Sequence, residues 1–348
     1  MTQPVVVKLG TGLVVGEDGE VRTDLLNSRA SEIATIVARS EPVCVVSSGA
    51  IALGLPKLGL KRRPSSLARL QAASALGQAR LQAAWEEALG THGLPAAQIL
   101  LAAGDVADRL AYVNARQAFV ELFRLGAVPV VNENDATATD EITFGDNDAL
   151  AAQVAILVKA RLLVLLTEVE GLYSRAPGTP GAELIAEGEL AGEAELGAGT
   201  ELGRGGMASK VIAAQMASGA GIPTVIASGA GDDVLGPVLA GEKRGTRFRP
   251  EEQGASAFRM WLLFAKPATG RLRVDEGARR ALVDKGASLL GVGVVGCEGR
   301  FEPGAAVELV GPDGIAFAKG IAAADSERLT DRPRGVLAVH RDRMVLYT

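Results

Sequence analysis

The chain has 348 residues, 48% of them apolar and 22% charged, with a formal net charge of −5. That length favours two domains and the composition suits a globular chain with a substantial core. The acidic balance argues against a generic nucleic-acid or membrane-surface binder.

No apolar run reaches the length of a membrane span. The N-terminus enters Val5-Val6-Val7 without a basic leader, so no signal peptide is expected. Cys44 and Cys297 lie far apart in apolar runs and read as buried thiols in a reducing cytoplasm, not as a disulfide. Two histidines and two cysteines at unrelated spacings argue against a zinc site. His92 and His340 read as surface residues, and Trp85 and Trp261 as packing residues.

In chain order, Val5-Val6-Val7-Lys8-Leu9 predicts a strand that breaks at Gly10-Thr11-Gly12. Thr23 or Asp24 can cap a helix carrying Leu25, Ile33, Ile36 and Val37. Val43 to Val46 predicts a second strand, ending in the small-residue turn Ser47-Ser48-Gly49-Ala50. An Ala/Leu/Gln-rich helix runs from Ser66 to about Leu89. Gln98 to Leu101 is a strand, Tyr112 to Leu125 a helix, and Val128 to Val131 a strand leading into Asn132-Glu133-Asn134-Asp135. Phe144-Gly145-Asp146-Asn147-Asp148 opens the next helix, with Asp146 or Asn147 as its cap. Leu162 to Leu166 is a strand closing at Thr167-Glu168. Gly205-Gly206-Met207-Ala208-Ser209-Lys210 leads into another helix, and Thr224 to Ala227 is a strand. The Gly188 to Gly203 stretch reads as a mobile loop.

Strands that are continuous apolar runs, alternating with helices, predict an α/β fold: a mostly parallel sheet sandwiched by helices on both faces. Ligands of such sheets bind beyond the C-terminal strand ends. Lys8 to Gly12, Ser47 to Ala50, Asn132 to Asp135 and Thr167-Glu168 each follow a strand, so periodicity places them on one edge. Around Arg244 to Gln253 the composition becomes charged and glycine/proline-containing. The expected organisation is residues 1–250 as one domain, 251–266 as a linker and 267–348 as a small β-rich domain with one helix, Glu276 to Lys285.

Lys8 beside Gly10, Thr11 and Gly12 can neutralise a phosphate that backbone N–H groups approach. It equally fits an edge lysine before a turn. Glycines and a lysine opening the helix at Gly205 to Lys210 make an anion site or a plain loop-to-helix junction. Ser47 to Ala50 can hold a carboxylate or phosphate, or be a tight turn. Asn132, Asn134, Asp135, Asn147 and Asp148 suit an ammonium group and the fixing of lysines. No Walker A spacing, EF-hand spacing or histidine-supported nucleophile occurs.

Val7-Lys8-Leu9-Gly10-Thr11, Ser47-Ser48-Gly49-Ala50, Asn132-Glu133-Asn134-Asp135, Gly145-Asp146-Asn147-Asp148 and Gly205-Gly206-Met207-Ala208-Ser209-Lys210, in this order, resemble the amino acid kinase family, and within it the glutamate 5-kinases. Val274-Asp275-Glu276-Gly277-Ala278 and Lys285-Gly286-Ala287-Ser288-Leu289-Leu290 are similar to the PUA domain that this branch carries. The resemblance covers nearly the whole chain. It implies the amino acid kinase fold plus a PUA-like domain, with ATP and Mg²⁺ as cofactors. It also implies phosphorylation of the L-glutamate γ-carboxylate to L-glutamyl 5-phosphate in proline biosynthesis. Lys8 and Lys210 would contact the ATP phosphates, and Asp148 would hold both lysines. Ser48, Gly49, Asn134, Asp135 and Asn147 would bind glutamate. Gly10, Thr11, Thr167, Glu168, Arg204, Gly205, Gly206, Met207, Ala208 and Ser209 would line the nucleotide. No protein metal ligands follow, Mg²⁺ being held mainly by the phosphates.

Glu168 stands where the family usually has aspartate, and Arg204 where it has a small residue or threonine. The resemblance further implies feedback inhibition by proline, a homodimer or homotetramer and hand-over to glutamyl phosphate reductase. Alternative acceptors on the same fold are N-acetylglutamate, carbamate and UMP. A PUA-like domain also raises RNA binding. Against it, Pro267 to Thr348 holds twelve Lys/Arg and eleven Asp/Glu, nearly neutral where a phosphate-reading surface is basic.

Overall fold

The computed structural model describes residues 2–60, 62–102, 105, 109–137, 147–188, 206–251, 257–260, 262–263, 266 and 268–347. The chain divides into two compact units, Met1–Ala257 and Phe258–Thr348.

The first unit opens with β1 (Val5–Leu9), every residue of which is buried. It continues through α1 (Thr11–Val14), α2 (Thr23–Val37), β2 (Val43–Ser47), α3 (Ala50–Gly54), α4 (Leu67–Gly90) and β3 (Ala96–Leu101). Then come α5 (Arg109–Arg124), β4 (Val128–Glu133), α6 (Asn147–Val158), β5 (Leu162–Thr167) and β6 (Glu187–Gly188). It closes with α7 (Met207–Gly219), β7 (Thr224–Ser228), α8 (Leu235–Leu239) and β8 (Thr246–Phe248). The eight strands form one sheet in the order β3-β4-β2-β1-β5-β7-β8-β6. All neighbours are parallel except β7 and β8.

The two faces follow from the period-2 alternation of the strands. Val5, Val7 and Leu9 join Val43, Val45, Val128, Val130, Val164 and Leu166 in a core closed by Leu26 and Ile33 of α2 and Leu81, Trp85 and Leu89 of α4. Val6 and Lys8 have the other parity, and α6 packs on β1 and against α7. Two-sided burial explains why these strands read as near-continuous apolar runs up to their polar C-terminal ends. The register aligns Leu9 with Ser47 and Leu166, and Thr167 with Ser228. The polar clusters after β1, β2 and β5 therefore share the C-terminal edge of the sheet.

Some local expectations change. Thr23 and Asp24 lie inside α2, whose N-cap is Arg22 with no side-chain cap. Asn147 is the first residue of α6, and its amide is committed to Ser47 and Asn132 instead of capping. Asp146 lies outside the described residues, as do Phe144, Gly145, Trp261 and nearly all of 188–203. The Arg244 to Gln253 stretch contains β8, whose antiparallel pairing with β7 the charged composition conceals. Cys44 is buried and Cys297 only half-buried. Trp85 is fully buried, as expected of a packing residue.

The second unit carries a six-stranded sheet, order β10-β14-β13-β12-β9-β11. Its strands are β9 (Ala268–Val274), β10 (Leu289–Leu290), β11 (Val294–Glu298), β12 (Ala306–Val310), β13 (Ala316–Ala322) and β14 (Leu337–Leu346). Its neighbours are antiparallel except β9 and β12. The helix α9 (Glu276–Lys285) starts where the sequence places it, because Asp275 accepts a hydrogen bond from Ala278 N at 2.8 Å and caps it. β9 escapes the sequence reading: Arg271 and Arg273 alternate with Leu272 and Val274 on a strand whose inner face alone is apolar.

Candidate active site

Three segments far apart in sequence meet at one carboxylate. Lys8 near the end of β1 places Nζ 2.6 Å from Asp148 Oδ1, and Lys210 in the first turn of α7 places Nζ 3.1 Å from Asp148 Oδ2. Ser209 Oγ donates to the same Oδ2 at 2.8 Å. All three charged groups are buried, Asp148 completely. Burial by itself pushes the Asp148 carboxyl upward. The charges of Lys8 and Lys210, with hydrogen bonds from Lys8 and Ser209, outweigh it and hold the group below the usual carboxylate range. One negative charge between two positive ones leaves the buried trio with net positive charge.

Beside this cluster lies a cavity of about 180 Å³. Thr11, Ser48, Gly49, Arg63, Asn132, Asp135 and Asn147 contribute to its wall. It is smaller than the 300–1,000 Å³ usual for drug-sized ligands, so it suits a small metabolite. Gly49 turns from β2 into α3 at φ +119°, a left-handed conformation that favours glycine. Asn147 Nδ2 donates to Ser47 O at 3.0 Å and to Asn132 Oδ1 at 2.5 Å. Asp135 Oδ2 accepts from Ser74 Oγ at 2.5 Å. Asp135 Oδ1 and Asn147 Oδ1 are buried with no hydrogen-bond partner. Burial raises the Asp135 carboxyl, and the Ser74 hydrogen bond and the Arg63 charge offset part of that rise. Asn147 belongs to the cavity and Asp148 to the lysine cluster, and they are consecutive, so the two halves share a boundary.

The structure thus brings together Lys8, Asp148, Ser209 and Lys210 in one cluster, and Ser48, Gly49, Asp135 and Asn147 around one cavity. Thr11, expected beside the nucleotide, is on the cavity wall. Asn134 is not on that wall; its backbone N–H donates to Leu101 O at 2.9 Å. Thr167 ends β5 and Glu168 follows it, and the Glu168 carboxylate lies against Gly12: a Cβ there would meet its Cδ at 2.6 Å. Gly206 precedes α7, whose start has no side-chain cap, and Met207 and Ala208 form its first turn. Gly10 lies near Lys8 Nζ, 3.9 Å from where its Cβ would stand. Arg204 and Gly205 lie outside the described residues. Sequence reasoning missed Arg63, Ser74 and Gln78. Ser74 and Gln78 were visible only as polar interruptions, four residues apart, in an aliphatic helix.

Among the described residues no group of three or more His, Cys, Asp or Glu could hold a metal ion, and no helix is long and apolar enough to cross a membrane.

Comparison with known proteins identifies the family. The amino acid kinase family matches residues 3–228 and the PUA domain residues 270–340. The glutamate 5-kinase of Geobacter sp. (strain M21) is 41% identical, covering 98% of this chain and 97% of that protein. That of Gloeobacter violaceus is 43% identical, covering 98% of each. Among solved structures, the isopentenyl phosphate kinase of T. acidophilum superposes with a TM-score of 0.52 at 18% identity, over 71% of this chain and all of that one. The UMP kinase of Bacillus anthracis gives 0.52 at 15% identity, over 72% of this chain and 96% of that one. At such identity these two support the fold alone. The chain belongs to the amino acid kinase family, in its glutamate 5-kinase branch with a C-terminal PUA domain.

Proposed function

We propose that the first unit transfers the γ-phosphoryl group of ATP to the γ-carboxylate of L-glutamate, giving L-glutamyl 5-phosphate for proline biosynthesis. The observation that carries the choice of acceptor is the pair of buried, unpartnered oxygens, Asp135 Oδ1 and Asn147 Oδ1, on residues that line the cavity. Buried acceptors left unpaired are costly, and a site that holds them selects a ligand that brings donors. An α-ammonium group satisfies both and neutralises Asp135. An acetylated amine would bring one donor and no charge. Arg63 supplies a cation on the same wall for the α-carboxylate.

The chemistry needs no general base, because a carboxylate is already ionised at neutral pH. One glutamate γ-oxygen forms a bond to the γ-phosphorus as the bond from that phosphorus to the bridging oxygen breaks, and ADP leaves with the electron pair. The obstacle is bringing an anion to a polyanion. Lys8 and Lys210 spread positive charge over the transferring group, and the first-turn N–H groups of α7 supply further donors. Asp148 keeps the two ammonium groups apart and aimed. Mg²⁺, when bound with ATP, neutralises phosphate charge. In this reading the phosphates themselves are its main ligands. Thr167, Glu168 and Gly206 to Ser209 border the nucleotide in this reading.

Inhibition by proline, a homo-oligomer, hand-over of the labile acyl phosphate to a reductase and a cytoplasmic location go with this function through the family likeness.

The test is hydroxylamine trapping of the acyl phosphate with ATP, Mg²⁺ and each acceptor. Glutamate should yield hydroxamate. Yield from N-acetylglutamate without yield from glutamate would overturn the assignment.

A further inference from the structure

The helix beneath the cavity carries polar groups for which the reaction has no direct use. α4 is aliphatic along its buried side, through Leu70, Ala73, Leu81, Trp85 and Leu89. Ser74 and Gln78 interrupt it at i and i+4, and so point the same way. The side-chain hydrogen bonds that Ser74 and Gln78 make run to wall residues. Ser74 Oγ donates to Asp135 Oδ2 at 2.5 Å. Gln78 Oε1 accepts from Asn132 Nδ2 at 2.8 Å, and Asn132 Oδ1 in turn accepts from Asn147 Nδ2 at 2.5 Å. The first arm leaves Asp135 Oδ1 over; the second leaves Asn147 Oδ1 over on the wall and Gln78 Nε2 over on the helix.

We infer that Ser74 and Gln78 are positioning residues for amino-acid recognition: one helix face orients both acceptors that read the substrate ammonium. The inference rests on the glutamate reading above and adds to it where specificity is set. Orientation matters because a carboxylate free to rotate would turn its second oxygen, and an amide free to flip its one oxygen, to its own neighbours. Asp135 Oδ2 tied to Ser74 cannot do so without leaving a buried hydroxyl unpaired. Asn132 has the same role on the other arm: with its amide N–H given to Gln78, its oxygen faces Asn147 and forces the Asn147 amide nitrogen inward and its oxygen outward. Trp85 closes the lower end of the same helix face, donating Nε1–H to Ser47 Oγ at 2.9 Å under the Ser48-Gly49 turn. The two arms differ in electrostatics. Burial raises the Asp135 carboxyl and the Ser74 hydrogen bond lowers it; Arg63 is the charged group that acts on it among the described residues. The Gln78 arm contains no titratable group.

The experiment uses the full chain with MgATP, hydroxylamine and L-glutamate, and compares Ser74→Ala, Gln78→Leu and Gln78→Glu with the wild type. Loss of one buried hydrogen bond should raise KM for glutamate on the order of 2- to 10-fold in the first two, while kcat and KM for ATP stay within about twofold. Gln78→Glu keeps an acceptor for Asn132 Nδ2 and should restore most of the glutamate affinity. In Ser74→Ala the acid limb of kcat/KM for glutamate should move to higher pH, because the carboxylate loses a donor. In Gln78→Leu the limb should stay in place. Thermal unfolding identifies variants that have lost the fold, and the conservative Gln78→Glu keeps the question open to refutation if Gln78→Leu does not fold. Unchanged KM for glutamate in Ser74→Ala and Gln78→Leu would overturn the inference. So would a joint fall in kcat and affinity for both substrates, which marks a loosened helix. A wild type that yields no hydroxamate from glutamate would instead overturn the glutamate reading, and this inference with it.

Discussion

The Lys8 ammonium lies 2.6 Å from Asp148 Oδ1, with both groups buried. Taking such charges out of water is costly, and the pairing offsets that cost only if both partners remain. Lys210 occupies the other oxygen of the same carboxylate. The arrangement keeps two cations poised where a polyphosphate would add negative charge. Lys8→Ala and Lys210→Ala should each lower kcat on the order of 10²- to 10³-fold, as loss of one preorganised donor does. Hydroxamate turnover by purified, folded variants checks this; near wild-type turnover by Lys210→Ala would remove it from the mechanism.

Asp148→Asn should destabilise the fold as well as the reaction. It leaves two buried ammonium groups facing a neutral amide, at a cost of roughly 3–5 kcal/mol. The folded carboxyl is held below its ordinary value. Its contribution to stability is therefore present above the ordinary carboxylate pKa and is lost as pH falls through the folded one. The wild type should lose more melting temperature than Asp148→Asn between neutral pH and about pH 3. Parallel curves for the two proteins would contradict the ion-pair account.

Asp135 has the opposite sign. Its carboxyl is raised by burial, with Ser74 and Arg63 offsetting part of the shift. Between the ordinary and the raised pKa the folded chain holds more protons than the unfolded one, so stability falls as pH rises through that window. Asp135→Asn removes this burden while keeping an acceptor for Ser74. It should hold or raise the melting temperature at neutral pH and raise KM for glutamate by about 10- to 100-fold, the loss of a charged hydrogen bond. KM for ATP should stay unchanged. A variant that binds glutamate as well as the wild type would show that the ammonium is read elsewhere.

Arg63→Ala should weaken glutamate on the order of 10-fold, with Arg63→Lys intermediate, because a guanidinium pairs with a carboxylate through two parallel N–H bonds and an ammonium does not. Steady-state KM values for both substrates decide it; equal effects on ATP and glutamate would argue against an α-carboxylate contact.

Gly77→Ala tests how α4 is seated. A Cβ at Gly77 would meet Ala50 O at 1.8 Å, at the crossing of α4 with α3. Backbone must move to admit it, which costs about 1–3 kcal/mol or more. Denaturant unfolding should show a lower midpoint with little change in slope. Since α4 also carries Ser74 and Gln78, KM for glutamate should rise with the displacement.

The covalent order of residues determined most of the layering. Val5 to Val7, Val43 to Val46 and Leu162 to Leu166 are apolar runs because strands covered on both faces bury their side chains. The Ser48-Gly49, Asn132 to Asp135 and Thr167-Glu168 clusters sit at or just past strand ends, so their shared edge was legible from alternation alone. Asp275 and Gly286 bracket α9 as cap and stop, a local signal that needs no partner. Local patterns do not report distance, however. That Asp148 stands between Lys8 and Lys210, and not beneath a helix cap alone, depends on β1, α6 and α7 meeting at one edge. β8 was concealed because its pairing with β7 is a non-local hydrogen-bond pattern under a charged surface composition. Arg63, Ser74 and Gln78 carry no motif, and only the packing of α4 against the strand ends gives Ser74 and Gln78 their partners. Secondary structure and sheet edge come from periodic burial, which is written along the chain; the pairing of buried charges and unfilled acceptors comes from the folded geometry, which only long-range contacts can set.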